Sequence, residues 1–171
     1  MNILEELLKY QIQSREQALR IAEYARSSPE RFKELMDYFL SSNTRLAQRA
    51  AWSVSWAGQK NPEIIQPHIG SLVNQFGKKD VHDSVIRNSL RVLEDLEIEE
   101  NYHGELMSAC FDFIQKRETP IAIKAFSLTI LFKLSKSYPE IKNELRTIIV
   151  QNMDYETPAF RSRAKKILTK I

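Results

Sequence analysis

With 171 residues, of which 43% are apolar and 27% charged, the chain is long enough to bury a core and too apolar to remain disordered. Its formal net charge of +3 selects no class of partner, and its single cysteine excludes an internal disulfide framework and fits a reducing compartment, the cytoplasm by default. Four glycines and six prolines leave little material for hairpins, so helices joined by short connections are expected.

Residues 1–11 carry Glu5 and Glu6 inside an apolar pattern with no basic leader, which predicts an amphipathic helix rather than a signal peptide. Ser14-Arg15-Glu16-Gln17 has the form of a capping box and opens the second helix. No glycine or proline separates Gln11 from Ser14, so the end of the first helix is not marked. Ser28 precedes Pro29-Glu30, and Phe32, Leu35, Met36, Phe39 and Leu40 then fall on one helical face. Proline loses no hydrogen bond in a first turn, and the glutamate after it suits the positive end of the helix dipole.

Asn43 or Thr44 starts the helix that bears Arg45, Arg49, Trp52 and Trp56. Asn61 precedes Pro62-Glu63, and Ile64, Ile65, Ile69, Leu72, Val73 and Phe76 predict a helix over 62–76. Asp83 starts the helix of Arg87 and Arg91. Asn101 is the expected cap of a helix over 102–115, striped by Leu106, Met107, Cys110, Phe111 and Ile114. Thr119-Pro120 opens the helix of Lys124, Tyr138 precedes Pro139-Glu140 and a helix over 139–151, and Thr157-Pro158 opens the last. Alternating β-branched runs are missing, so no strand is expected. Nor does any apolar run reach the roughly 18 residues of a membrane span.

A period runs through these elements. Arg15, Arg49, Arg87, Lys124 and Arg161, each near a helix start, are spaced by 34, 38, 37 and 37 residues, and Pro-Glu pairs recur after 33 and then 77. A fixed step of this size marks a helical repeat array. It divides one domain, 1–171, into about five helix pairs: 1–27, 28–59, 60–98, 99–136 and 137–171. Charge is uneven along it. Nine acids face four bases between Lys78 and Ile114, whereas Thr157 to Ile171 holds five bases and no acid.

Gln48-Arg49-Ala50-Ala51-Trp52, Ile86-Arg87-Asn88-Ser89-Leu90, Ile123-Lys124-Ala125-Phe126-Ser127 and Phe160-Arg161-Ser162-Arg163-Ala164 resemble the second helix of HEAT repeats, which opens on Val-Arg with a small residue following. The resemblance covers about residues 28–171. It implies an all-α fold, a right-handed HEAT-like (armadillo-like) α–α superhelix whose second helices line the concave side. It says little about activity, because such arrays serve many functions. Gln48, Trp52 and Leu90 depart from the pattern and imply wider packing there.

Two readings of the basic positions follow. Stacked repeats would set Arg49, Arg87, Lys124 and Arg161 in a row, roughly 10 Å apart, able to grip an acidic peptide or a phosphate backbone. Alternatively, each pairs with the turn just before it, at Asn43, Asp80, Glu118 and Asp154; the structural alternative is preferred. By phase Trp52 is expected in the core and Trp56 half exposed, where tryptophan favours interfaces. The basic last helix reads as a soluble cap.

Little points to catalysis. His68, His82 and His103 share no metal-ligand spacing, Cys110 lies in an apolar stripe, and no phosphate-binding glycine loop or nucleophile motif occurs. No cofactor or metal is expected. The function expected is a non-enzymatic interaction or scaffold module for a protein partner. Its surface is formed by Arg45, Arg49, Trp56, Arg87, Arg91 and Lys124, with Glu94–Glu100 at a rim. The competing class is a nucleic-acid binder or a repair enzyme like the HEAT-type alkylpurine DNA glycosylases. Against that class, no aspartate stands four residues after either tryptophan.

Overall fold

A computed structural model describes all 171 residues, and it contains helices and connections without a strand. The chain packs as two units, Met1–Glu97 and Ile98–Ile171. The division lies one residue from the expected boundary between the third and fourth helix pairs.

The first unit holds α1 (Ile3–Leu8), α2 (Arg15–Ala25), α3 (Pro29–Phe39), α4 (Thr44–Lys60), α5 (Pro62–Ile65), α6 (Ile69–Val73) and α7 (Asp83–Leu93). Side-chain caps stand at three expected starts. Ser14, Ser28 and Asn43 accept from the N–H groups of Gln17, Arg31 and Leu46 at 3.1, 3.3 and 3.1 Å. The capping box at Ser14 is only half made, because the Gln17 amide turns away and donates to the Glu6 carbonyl of α1. That bond uses a carbonyl left free where α1 ends, which is how the chain breaks a helix there without glycine or proline.

α4 is the hub of this unit and packs against α1, α2, α3, α5 and α7. Its sequence explains why: Ala47, Ala50, Ala51, Ser53, Val54, Ser55, Ala57 and Gly58 are all buried, so small side chains surround it and neighbours approach closely. Gly58 faces Ile65 so closely that an added Cβ would stand 3.3 Å from the isoleucine Cβ. The larger volume comes from the neighbours, with Phe32, Leu35, Phe39, Ile21 and Leu72 fully or almost fully buried. Each such side chain contributes on the order of 1.5–3 kcal/mol.

The helix expected over 62–76 is interrupted. α5 ends at Ile65, a 3-10 turn spans Gln66–His68, and α6 follows. Pro67 cannot donate to the carbonyl four residues back, and its ring crowds that carbonyl. The apolar positions survive the break, since Ile65, Ile69, Leu72 and Val73 remain buried.

The second unit holds α8 (His103–Gln115), α9 (Ile121–Ser137), α10 (Lys142–Asn152) and α11 (Pro158–Leu168). α9 is its hub and packs against α8, α10 and α11. Both hubs have 17 residues, and they start 77 residues apart, the same step as the last two Pro-Glu pairs. At each hub's end a C-cap N–H, of Asn61 or Tyr138, closes on the carbonyl four residues back at 2.9 Å before the Pro-Glu turn begins. Thr157 caps α11 by accepting from the Phe160 N–H at 3.4 Å. Asn101 is not the cap of α8. A 3-10 turn over Glu100–Tyr102 precedes that helix, and Tyr102 stands at the cap without a side-chain bond. His103 fixes the entry instead, with Nε2 2.8 Å from the Ile98 carbonyl and Nδ1 3.1 Å from the Tyr138 hydroxyl. The carbonyl can only accept, so Nε2 is the donor to it. No helix is long and apolar enough to cross a membrane.

Candidate functional site

The starts of α4 and α7 and the connection between α1 and α2 enclose an open cleft of about 690 Å³ in the first unit. Arg45, Gln48, Arg49 and Trp52 come from α4, Ser84, Arg87 and Asn88 from α7, and Gln11, Ile12 and Gln13 from the connection. Three arginines thus share one cleft, and no aspartate or glutamate lines it.

The three are held differently. Arg49 is only 8% exposed. Its Nη2 donates to the Gln11 carbonyl, while the Gln13 amide donates to the Arg49 carbonyl at 2.9 Å. Its Nη1 is buried and has no hydrogen-bond acceptor. The partner is therefore the preceding turn of the array, 38 residues upstream, and not the Asn43 turn of its own helix. Asn43 is occupied capping α4. Arg45 and Arg87 are exposed, and no acidic side chain pairs with either. Asp80, the expected partner of Arg87, instead takes a left-handed conformation with φ of 61° in the connection before α7.

Trp52 is half-buried in the cleft wall, not enclosed in the core as its phase suggested. Trp56, one turn further, has two guanidinium groups near its ring. Arg15 from α2 and Arg91 from α7 stand 5.5 and 5.0 Å from its ring centroid, within cation–π range. Arg15, Trp56 and Arg91 therefore link α2, α4 and α7, with Trp56 and Arg91 beside the cleft and not part of its lining.

Lys124 belongs to the second unit and is 3% exposed. It pairs with Glu156 and also donates to the Arg117 carbonyl at 3.4 Å, so its charge is spent within the unit. Arg163, not singled out from the sequence, donates to the Ala125 carbonyl and the Thr129 hydroxyl, both at 2.8 Å. The only signal available was its place one turn inside a helix start. The three histidines are dispersed: His68 meets Phe32 edge-on, His82 caps α7 by accepting from the Ser84 N–H at 3.1 Å, and His103 holds the start of α8. Cys110 is fully buried, and burial pushes its thiol up to about 12, against a weak lowering by Ser127.

A family model described as HEAT repeat domain matches residues 4–171. No curated protein and no solved structure matches the chain. The period, the paired helices and the buried basic residues near helix starts agree with that match. The chain belongs to the HEAT repeat domain family of all-α, α–α solenoid proteins.

Proposed function

We propose that this protein is a non-enzymatic, cytoplasmic interaction module that binds a protein partner across the face formed by α4 and α7. Its five helix pairs, as read from the period, act as the repeats of the array. Arg45, Arg87 and Trp52 make the contact, Arg49 shapes its floor, and Trp56 with Arg91 holds the two helices in register. HEAT repeats typically serve as protein-interaction scaffolds, which supports the class of function. The observation that carries the choice of face is the cleft itself, where exposed, unpaired arginines stand beside a half-buried tryptophan. Unlike the buried Arg49, these two are exposed and have no acidic partner.

The test is site-specific crosslinking in the native host from a photoreactive residue replacing Gln48, which is exposed in the cleft. A discrete protein adduct, lost on Arg87→Glu and missing from a control position at Lys33 on α3, is the expected result. Adducts of equal yield from Lys33 would refute the choice of face. Adducts to nucleic acid in place of protein would transfer the assignment to the competing class.

A further inference from the structure

We infer that the cleft of the first unit is a receptor for a carboxylate carried on an extended peptide, an aspartate or glutamate next to an apolar residue. This rests on the interaction reading above and specifies what the partner presents.

Arg49 lines this cleft. Its side chain is more than nine-tenths buried, yet no acid pairs with it and its Nη1 has no acceptor. Leaving a donor of a charged group buried and unused is costly, and a native fold normally supplies a partner. The acceptor that it does have, the Gln11 carbonyl, is neutral. A carboxylate is the stronger partner for a guanidinium, since charge-assisted bonds are roughly twice as strong and the two planar groups can pair through two parallel bonds. The covering strap is short and presents Ile12 at 84% exposure, so it yields without uncovering the core.

The surroundings choose between anions. Residues 1–97 contain 13 basic and 13 acidic side chains, so the first unit as a whole has no excess charge to hold a polyanion. The positive charge is concentrated at one point, where Arg45, Arg49 and Arg87 line a cleft without an acid. A phosphate backbone gains from a long run of cations, whereas one carboxylate is matched by a local group of three. Trp52 and Ile12 add apolar surface beside the arginines, and the aliphatic Ile12 suits an adjoining leucine or valine.

The probe is N-acetyl-Leu-Glu-amide, titrated into the full ¹⁵N-labelled chain, with N-acetyl-Leu-Gln-amide as its uncharged counterpart. Expected is a saturable shift of the Trp52 indole and of the Ile12 and Arg49 amides, with the Gln compound at least tenfold weaker. The Arg45→Gln/Arg87→Gln double variant should lose at least tenfold in affinity with an unchanged melting temperature, because both side chains are exposed. The inference is overturned if no saturable shift appears up to about 20 mM, a concentration at which even a millimolar site would fill. Equal shifts by the two compounds overturn it too, as does tighter binding of a thymidine oligonucleotide at the same residues. Crosslinking from Gln48 to a protein without response to the dipeptide would remove the carboxylate and leave the interaction face standing. The dipeptide binding without any protein crosslink would do the reverse.

Discussion

Lys124 near the start of α9 and Glu156 in the connection before α11 form an ion pair whose side chains are only 4% and 10% exposed. They lie 32 residues apart. The residue that opens one second helix is thus tied to the turn of the next pair, while Arg49 is tied to the turn of the preceding one. In both cases a bond joins neighbouring repeats, and Lys124 alone also donates to its own preceding turn, at the Arg117 carbonyl. Removing one charge leaves the other buried without compensation, which costs roughly 3–5 kcal/mol, whereas removing both with apolar replacements costs far less. Lys124→Met should therefore destabilise strongly, and Lys124→Met/Glu156→Leu should recover most of that loss. Urea unfolding of the three proteins measures this; equal stabilities for the single variant and the parent would show that the pair contributes nothing.

Arg49 and Arg87 occupy equivalent repeat positions and should respond differently. Arg49→Met removes the donor to the Gln11 carbonyl and frees the strap that Gln13 also holds, a loss of about 2 kcal/mol. Arg87→Ala removes an exposed, unpaired side chain and should stay within about 0.5 kcal/mol of the parent. Thermal unfolding of both variants decides it. A melting temperature lowered as much by Arg87→Ala as by Arg49→Met would mean that Arg87 has a structural partner after all.

Trp56 makes a third contrast. Its ring is half-buried, within cation–π range of guanidinium groups from α2 and α7. Trp56→Ala should cost about 2–3 kcal/mol, below a fully buried tryptophan, from lost area and two cation–π contacts. Arg91→Ala alone should cost about 1 kcal/mol. Helical circular dichroism should persist in both, because neither residue fills the α4 interior. Collapse of the helical signal in Trp56→Ala would place the ring in the core.

The fold was readable because a period, a cap and an apolar stripe are local properties. Ser14, Ser28, Asn43 and Thr157 bond within three residues, so their neighbours suffice to identify them. The site was less readable because burial is decided across repeats. Arg45, Arg49 and Arg87 line one cleft. Lys124 carries the same sequence signature as Arg49 and lies in the other unit, its charge neutralised by a glutamate that no local pattern identifies. Trp52 illustrates a second limit. Helical phase gives the direction of a side chain but not the volume left for it, and that volume is decided by the helices packed closely on the small residues of α4.

His68 sits in the 3-10 turn after α5 with its ring 5.5 Å from that of Phe32. Burial holds its imidazole below the ordinary value of 6.5; Asp37 opposes that shift and Lys33 adds to it. The folded state therefore binds this proton less readily than the unfolded state. Stability from this group is complete above 6.5 and is lost progressively as pH falls below it. His68→Gln should lose less stability than the parent between about pH 7.5 and about pH 5, read as the change in denaturation midpoint. An identical acid response in both proteins would remove His68 from the titration.

Cys110 reports on opening of the second unit. Its sulfur is fully buried in α8, and burial pushes the thiol up to about 12, so at pH 8 almost no thiolate exists and none is accessible. A thiol reagent should thus leave the native protein unlabelled and modify one sulfur per chain in denaturant. At low denaturant the labelling rate should follow the opening equilibrium of the core around α8 and α9, because the reagent must wait for the helices to part. Lys124→Met raises the population of open molecules if its ion pair stabilises this unit, and should accelerate labelling in proportion. Arg49→Met provides the comparison, since its contacts lie wholly in the first unit. Acceleration by Lys124→Met alone would show that the second unit opens by itself. Equal acceleration by both would show that the two units unfold together, and rapid labelling of the parent would overturn the enclosed sulfur.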